Sequence, residues 1–161
     1  MQIIKDQQIV EDDWNYVNGE DSLPEGKVIV SLDRWKADRE TLIGRKNSGL
    51  GILLDSDEHA DDIAEDLEHF EVVSLNFPAF KDGRPYSTAR LLREKYGFSG
   101  ELRATGDVLR DQLFYMHRCG FDSFEINPEH SIEDALKGFE DFTVTVQPAH
   151  RDGKAGPRWQ R

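Results

Sequence analysis

From Lys27 to Phe139, short apolar runs alternate with amphipathic stretches. Lys27–Leu32 reads as a buried strand, and Asp33 is placed to cap a helix running through Ile43. Gly51–Leu54 is the next strand, followed by a helix over His59–Phe70 in which Ile63, Leu67 and Phe70 recur at helical spacing. Val72–Phe77 is a third strand, and a helix over Thr88–Tyr96 buries Leu91, Leu92 and Tyr96. A fourth strand, Glu101–Ala104, precedes a helix over Val108–Cys119 with Leu109, Leu113 and Met116 on its apolar side. Phe121–Ile126 contains a fifth strand, Ile132–Phe139 a short helix, and Phe142–Val146 a last strand on an edge or beside the N-terminal hairpin.

That hairpin is expected over Gln2–Val10, turning at Asp6-Gln7-Gln8. Glu11–Gly26 is polar and reads as a surface loop carrying Trp14, Tyr16 and Val17. The fold class is therefore α/β: five successive βα units around a mostly parallel sheet, with an N-terminal hairpin and right-handed crossovers. Two closures stay open, a flat doubly wound sheet and an incomplete (βα) barrel. The short units LRATG and DSFEI favour the barrel, and no glycine-rich phosphate loop follows the first strand, where the chain reads Leu32-Asp33-Arg34-Trp35.

A length of 161 residues fits one domain, expected over residues 1–150, with 151–161 as a flexible tail. The chain has no apolar run long enough to span a bilayer, and its first residues, MQIIKDQQIVEDD, do not read as a signal peptide. The single cysteine, Cys119, excludes an intramolecular disulfide and a cysteine-cluster metal site. A cytoplasmic location is the expectation. The net charge of −12 is unevenly spread. Residues 1–80 hold 7 basic against 19 acidic side chains, whereas residues 81–118 hold 8 against 5. An acidic body disfavours nucleic acid and anionic membranes as partners, but permits a focused anion site or a basic partner docked on the acidic half.

In either closure, ligands gather beyond the C-terminal ends of the parallel strands. Two loops there carry the candidate chemistry. In the first, Asp82-Gly83 signals a turn, Arg84 is held extended by Pro85, and Tyr86, Ser87 and Thr88 bring three hydroxyls to a helix start. Ser87 is the better N-cap, and Arg90 falls in the first helical turn, where a cation opposes the helix dipole unless it binds something. Arg84, Tyr86, Ser87 and Arg90 thus form one part of an anion-binding set. In the second loop, Gly106 turns the chain, Asp107 is placed to cap the next helix, and Arg110 lies between Asp107 and Asp111. Arg103 stands between Leu102 and Ala104 inside a strand. If those two face the helices, Arg103 faces the interior and needs Asp107, Asp111 or Glu125 as a partner. Arg103 and Arg110 complete the anion-binding set, and Asp107 or Asp111 is the candidate catalytic acid or base.

Other chemistry lacks its signature. The five histidines are scattered, so no metal site is expected, and no GxSxG elbow supports serine hydrolysis. No cofactor fingerprint is present, so the cofactor stays unknown and a redox reaction would need a borrowed flavin or nicotinamide. Cys119 reads as an inert core thiol.

The stretch FPAFKDGRPYSTARLLREKYGFSGELRATGDVLRDQLFYMHRCGFDSFEI, Phe77 to Ile126, resembles a bacterial family known as domain of unknown function 934. A looser likeness extends to IIKDQQIVEDDW, Ile3 to Trp14. The family's patterned positions fall on Phe80, Asp82, Gly83, Arg84, Tyr86, Ser87, Arg90, Arg103, Gly106, Asp107, Gln112 and Cys119. Members are commonly encoded beside assimilatory sulfite reductase and phosphoadenylylsulfate reductase, and many are labelled oxidoreductases. The resemblance implies an accessory role in sulfate or sulfite reduction, docking on one of those reductases, with a small sulfur-pathway anion as a plausible ligand. The alternative it leaves open is an enzyme acting on a small anionic substrate of that pathway.

Overall fold

The computed structural model describes residues 1–17, 19, 21–45, 49–79 and 81–139. Among the described residues, eight strands form one sheet: β1 (Gln2–Lys5), β2 (Gln8–Glu11), β3 (Asn15–Val17), β4 (Val28–Ser31), β5 (Leu50–Leu54), β6 (Val72–Phe77), β7 (Glu101–Gly106) and β8 (Ser123–Phe124). Their spatial order is β2-β1-β8-β7-β6-β5-β4-β3. From β3 to β8 every neighbour is parallel, and β1 closes that run antiparallel to both β8 and β2. Sequence neighbours are spatial neighbours throughout this parallel run. A doubly wound sheet needs a point where the order reverses. None exists among the described strands, and the sheet curls into a half-barrel instead. The N-terminal hairpin forms as expected, its tight turn made by Asp6 and Gln7 at positive φ (52° and 64°).

The helices are α1 (Leu32–Ile43), α2 (Arg84–Arg90), α3 (Leu113–Arg118) and α4 (Ile132–Leu136). Alternation along the strands divides the sheet into two faces. Val30, Ile52, Leu54, Val73, Leu75, Phe77, Leu102, Ala104 and Phe124 join Trp35, Leu42, Ala89, Leu92, Leu113, Met116 and Ala135 from the helices in one core. The opposite, inner face carries a row set by strand register: Leu53, Ser74, Arg103, Ser123 and Lys5. Ile3, Ile29 and Val72 are buried on this inner side without joining the helix-side core.

Several local features differ from the sequence reading, each for a physical reason. Ser31 caps α1, accepting from the Arg34 amide at 3.1 Å, so Asp33 lies inside the first turn. The helix expected over His59–Phe70 is instead two 3-10 segments, Ala60–Asp62 and Ala64–His69. Ile63 is buried at their junction, and Trp35 Nε1 donates to Asp66 at 3.1 Å, tying the crossover down by side chains. Helix α2 starts at Arg84, with Pro85 near its first position and the Asp82 carboxylate accepting from the Arg84 amide at 3.0 Å. Arg84 is thus helical, Ser87 lies inside the helix, and Arg90 falls midway along it, because the helix runs on as a π segment over Leu91–Lys95. The helix after Gly106 begins only at a 3-10 turn, Arg110–Gln112, followed by α3, so Asp107 does not cap it. Asn15–Val17, expected in a loop, pairs with β4 as an edge strand. The strand expected at Phe142–Val146, the tail 151–161 and Phe80 lie outside the described residues. Among the described residues, no helix is long and apolar enough to cross a membrane.

Candidate functional site

Strand β7 alternates Glu101-Leu102-Arg103-Ala104-Thr105, which sends Glu101, Arg103 and Thr105 to the inner face. Strand β8 and the residue after it add Ser123 and Glu125, β6 adds Ser74, and β3 adds Tyr16. These polar groups meet around a guanidinium that is 1% exposed. Arg103 Nη1 and Nη2 grip the two oxygens of Asp12 at 2.9 and 3.0 Å. Its Nε and Nη2 also donate to Glu101 at 3.2 and 3.1 Å, and Nη1 donates to Glu125 at 3.1 Å. Thr105 donates to Glu125 at 3.1 Å and Ser123 to Glu101 at 2.6 Å. The Tyr16 hydroxyl donates to Glu125 and lies 2.8 Å from the Ser74 hydroxyl. Lys5 reaches Glu101 at 3.0 Å.

Every polar group here has a partner, as burial of charge demands. Burial pushes the Tyr16 phenol up, reinforced by the Glu125 carboxylate. For Glu101, burial acts upward, but the Ser123 hydroxyl, Arg103 and Lys5 outweigh it and hold the carboxyl below its ordinary value. Of the partners expected for Arg103, Glu125 is present; Asp12 and Glu101 take the places expected for Asp107 or Asp111. The phase of β7 could have given Glu101 and Thr105. Nothing local could have given Asp12, which lies 91 positions away.

A second feature is a cleft of about 210 Å³ at the C-terminal rim, lined in part by Ser56, Glu58, Asp61, Arg84, Ser87 and Leu91. Arg84 and Ser87 both line this cleft. Arg84, however, is clamped by Asp82 through Nε and Nη2 at 3.0 and 2.8 Å, and Nη2 also donates to Ser56 at 2.9 Å. Asp82 is held well below the ordinary carboxylate range by that pairing. Glu58 is pushed up, chiefly by burial and then by Asp57, Asp55 and Asp33. Two carboxylates, Glu58 and Asp61, thus share the cleft wall with Arg84 and His59.

The remaining candidates lie elsewhere. Tyr86 packs between Phe77 and Tyr115, with ring centroids 5.1 and 4.9 Å away, and burial first, then Cys119 and Tyr115, push its phenol up to about 12. Arg90 donates to the Tyr115 hydroxyl at 3.2 Å and to Cys119 Sγ at 3.6 Å. Arg110 pairs with Asp134 at 3.0 Å. Asp107 accepts from Asn127 at 3.2 Å, and Asp111 is exposed on the 3-10 turn. Neither aspartate lines the cleft with Arg84 or touches Arg103.

The fold and these sites define a mostly parallel α/β half-barrel with a charged, sealed inner face and an acidic rim. The chain belongs to the family described as bacterial protein of unknown function (DUF934), whose pattern matches residues 51–156. Of the polar groups that meet around Arg103, that span contains all but Lys5, Asp12 and Tyr16. No curated protein matches the chain.

Proposed function

We propose that this protein is a non-catalytic accessory of assimilatory sulfate or sulfite reduction, docking on a reductase through its acidic β5–β6 crossover. The pathway comes from the family resemblance; the mode of action comes from the charge distribution. The observation that carries it is a contrast between two segments. Arg84, Arg90, Arg93, Arg103 and Arg110 all have internal partners. By contrast, residues 55–71 hold nine carboxylates and no lysine or arginine; of these, Asp66 is paired with Arg39 and Asp61 accepts from Tyr96. Asp55, Asp57, Asp61, Asp62, Glu65 and Glu68 on this crossover are exposed. Such a surface steers a basic partner toward itself and repels a small anion.

The enzyme reading has one observation in its favour, the cleft holding Arg84 and Ser87. The Glu58 and Asp61 carboxylates in its lining count against an anionic substrate, and Asp107 and Asp111 stand apart from it. Purified sulfite reductase and phosphoadenylylsulfate reductase, titrated with the protein at low and high salt, test the docking reading. A complex weakened by salt is expected, and weakened further when Asp57, Asp61 and Glu65 are changed to lysine. Absence of a complex with both reductases, or an affinity untouched by the three substitutions, refutes it.

A further inference from the structure

The inner face carries more negative charge than its cations require. Arg103 and Lys5 face Asp12, Glu101 and Glu125, two cations against three carboxylates. Without Asp12 the set balances. Glu101 and Glu125 belong to the sheet region itself, and each has a hydroxyl partner there, Ser123 and Thr105. Asp12 belongs to neither β2 nor β3 but to the short stretch joining them. Its neighbours Glu11 and Asp13 expose 75% and 71% of their side chains, whereas Asp12 exposes 4%. One side chain of a surface segment has turned inward and taken both terminal nitrogens of a guanidinium in a two-bond clasp. That is how arginine receives a planar carboxylate from a ligand.

We propose that the inner face is a binding site for a small monocarboxylate, and that Asp12 is its built-in occupant, displaced when the ligand enters. The incoming carboxylate takes the place of the Asp12 carboxylate on Nη1 and Nη2 of Arg103, while the Tyr16 and Thr105 hydroxyls stay on Glu125. Replacement is one negative charge for one, so the balance of the buried set is unchanged. A dianion such as sulfate adds a second charge next to Glu101 and Glu125 and is excluded by repulsion. This site is separate from the acidic crossover and does not depend on the docking reading.

The test titrates sodium formate and sodium acetate into the full chain, with chloride and sulfate at matched ionic strength as controls. The readout is the side-chain Nε–H resonance of Arg103. Wild type is expected to shift saturably with formate and acetate but not with sulfate. Asp12→Ala, freed of the internal competitor, is expected to bind formate at least roughly tenfold more tightly. Asp12→Ser serves the same purpose if the alanine variant does not fold. A wild-type Arg103 resonance unmoved by formate overturns the proposal, even if the variants bind, because the site would then exist only after mutation. Equal response to sulfate, or equal affinity in wild type and the Asp12 variants, also overturns it.

Discussion

Replacing Arg103 with methionine and Asp12 with asparagine should have unequal costs, although the two residues form one ion pair. Methionine fills much of the volume of the Arg103 stem but removes the charge that Asp12, Glu101 and Glu125 share. Those side chains expose only 4%, 9% and 9% of their surface, so water cannot replace the guanidinium. Removing one partner of such a buried set costs about 3–5 kcal/mol, out of a total stability on the order of 5–15 kcal/mol. Asp12→Asn keeps one oxygen to accept from Arg103 and removes the surplus negative charge, but it turns an amide N–H toward the other guanidinium nitrogen. It should cost about 1.5–3 kcal/mol, the worth of one charge-assisted hydrogen bond. Urea unfolding of wild type and both variants, near neutral pH and again at about pH 4, measures this directly. The loss in Arg103→Met should shrink at the lower pH, because the orphaned carboxylates can then take up protons. An Asp12→Asn loss as large as that of Arg103→Met would refute the argument, as would an Arg103→Met loss below about 1 kcal/mol.

Asp122 is raised from the ordinary 3.8 to about 6, mainly by burial and partly by Glu101 and Asp6, against the pull of Arg93 and the Leu102 amide. The folded protein therefore holds this proton after the unfolded chain has lost it, and stability from this group falls as pH rises from about 4 to about 6. About a third of the side chain (35%) is exposed, so Asp122→Asn, which still accepts from the Leu102 amide, should gain only ~1 kcal/mol near neutral pH and nothing below about pH 4. Thermal melts across that range check it; a variant parallel to wild type at every pH would contradict it. Gly106 sits at φ +93°, with the Phe77 carbonyl and the Asn76 side chain where a Cβ would lie. Gly106→Ala should cost at least ~2 kcal/mol by denaturant unfolding, and a neutral effect would show that the β7 turn relaxes freely.

Much of the parallel sheet was legible because its strands are short apolar runs buried on both faces, as in Val28–Ser31 and Val72–Phe77. The direction of Arg103 was legible for the same reason: alternation with Leu102 and Ala104 leaves it one face. The crossover from β5 to β6 was misread because Ile63, Leu67 and Phe70 fit a helical period, yet Ile63 and the Trp35–Asp66 bond break it into two 3-10 segments. The proline after Arg84 predicts an extended backbone there. The Asp82 turn and the helix start at Arg84 override that local preference. The partners of the basic segment were the least legible part. Asp12 and Tyr16 reach the inner face from a stretch whose polarity resembles any surface loop, and such pairings are set by tertiary folding.

The reading as a docking accessory turns on whether the carboxylates of residues 55–71 meet a partner's lysines. Carbodiimide cross-linking of the protein with each purified reductase, followed by mass spectrometric mapping of the joined peptides, reports that contact without a spacer. The expected result is amide links from Asp57, Asp61, Asp62, Glu65 or Glu68 to reductase lysines, lost at high salt. Links that run only from carboxylates elsewhere on the chain, or no links to the reductases, would contradict it.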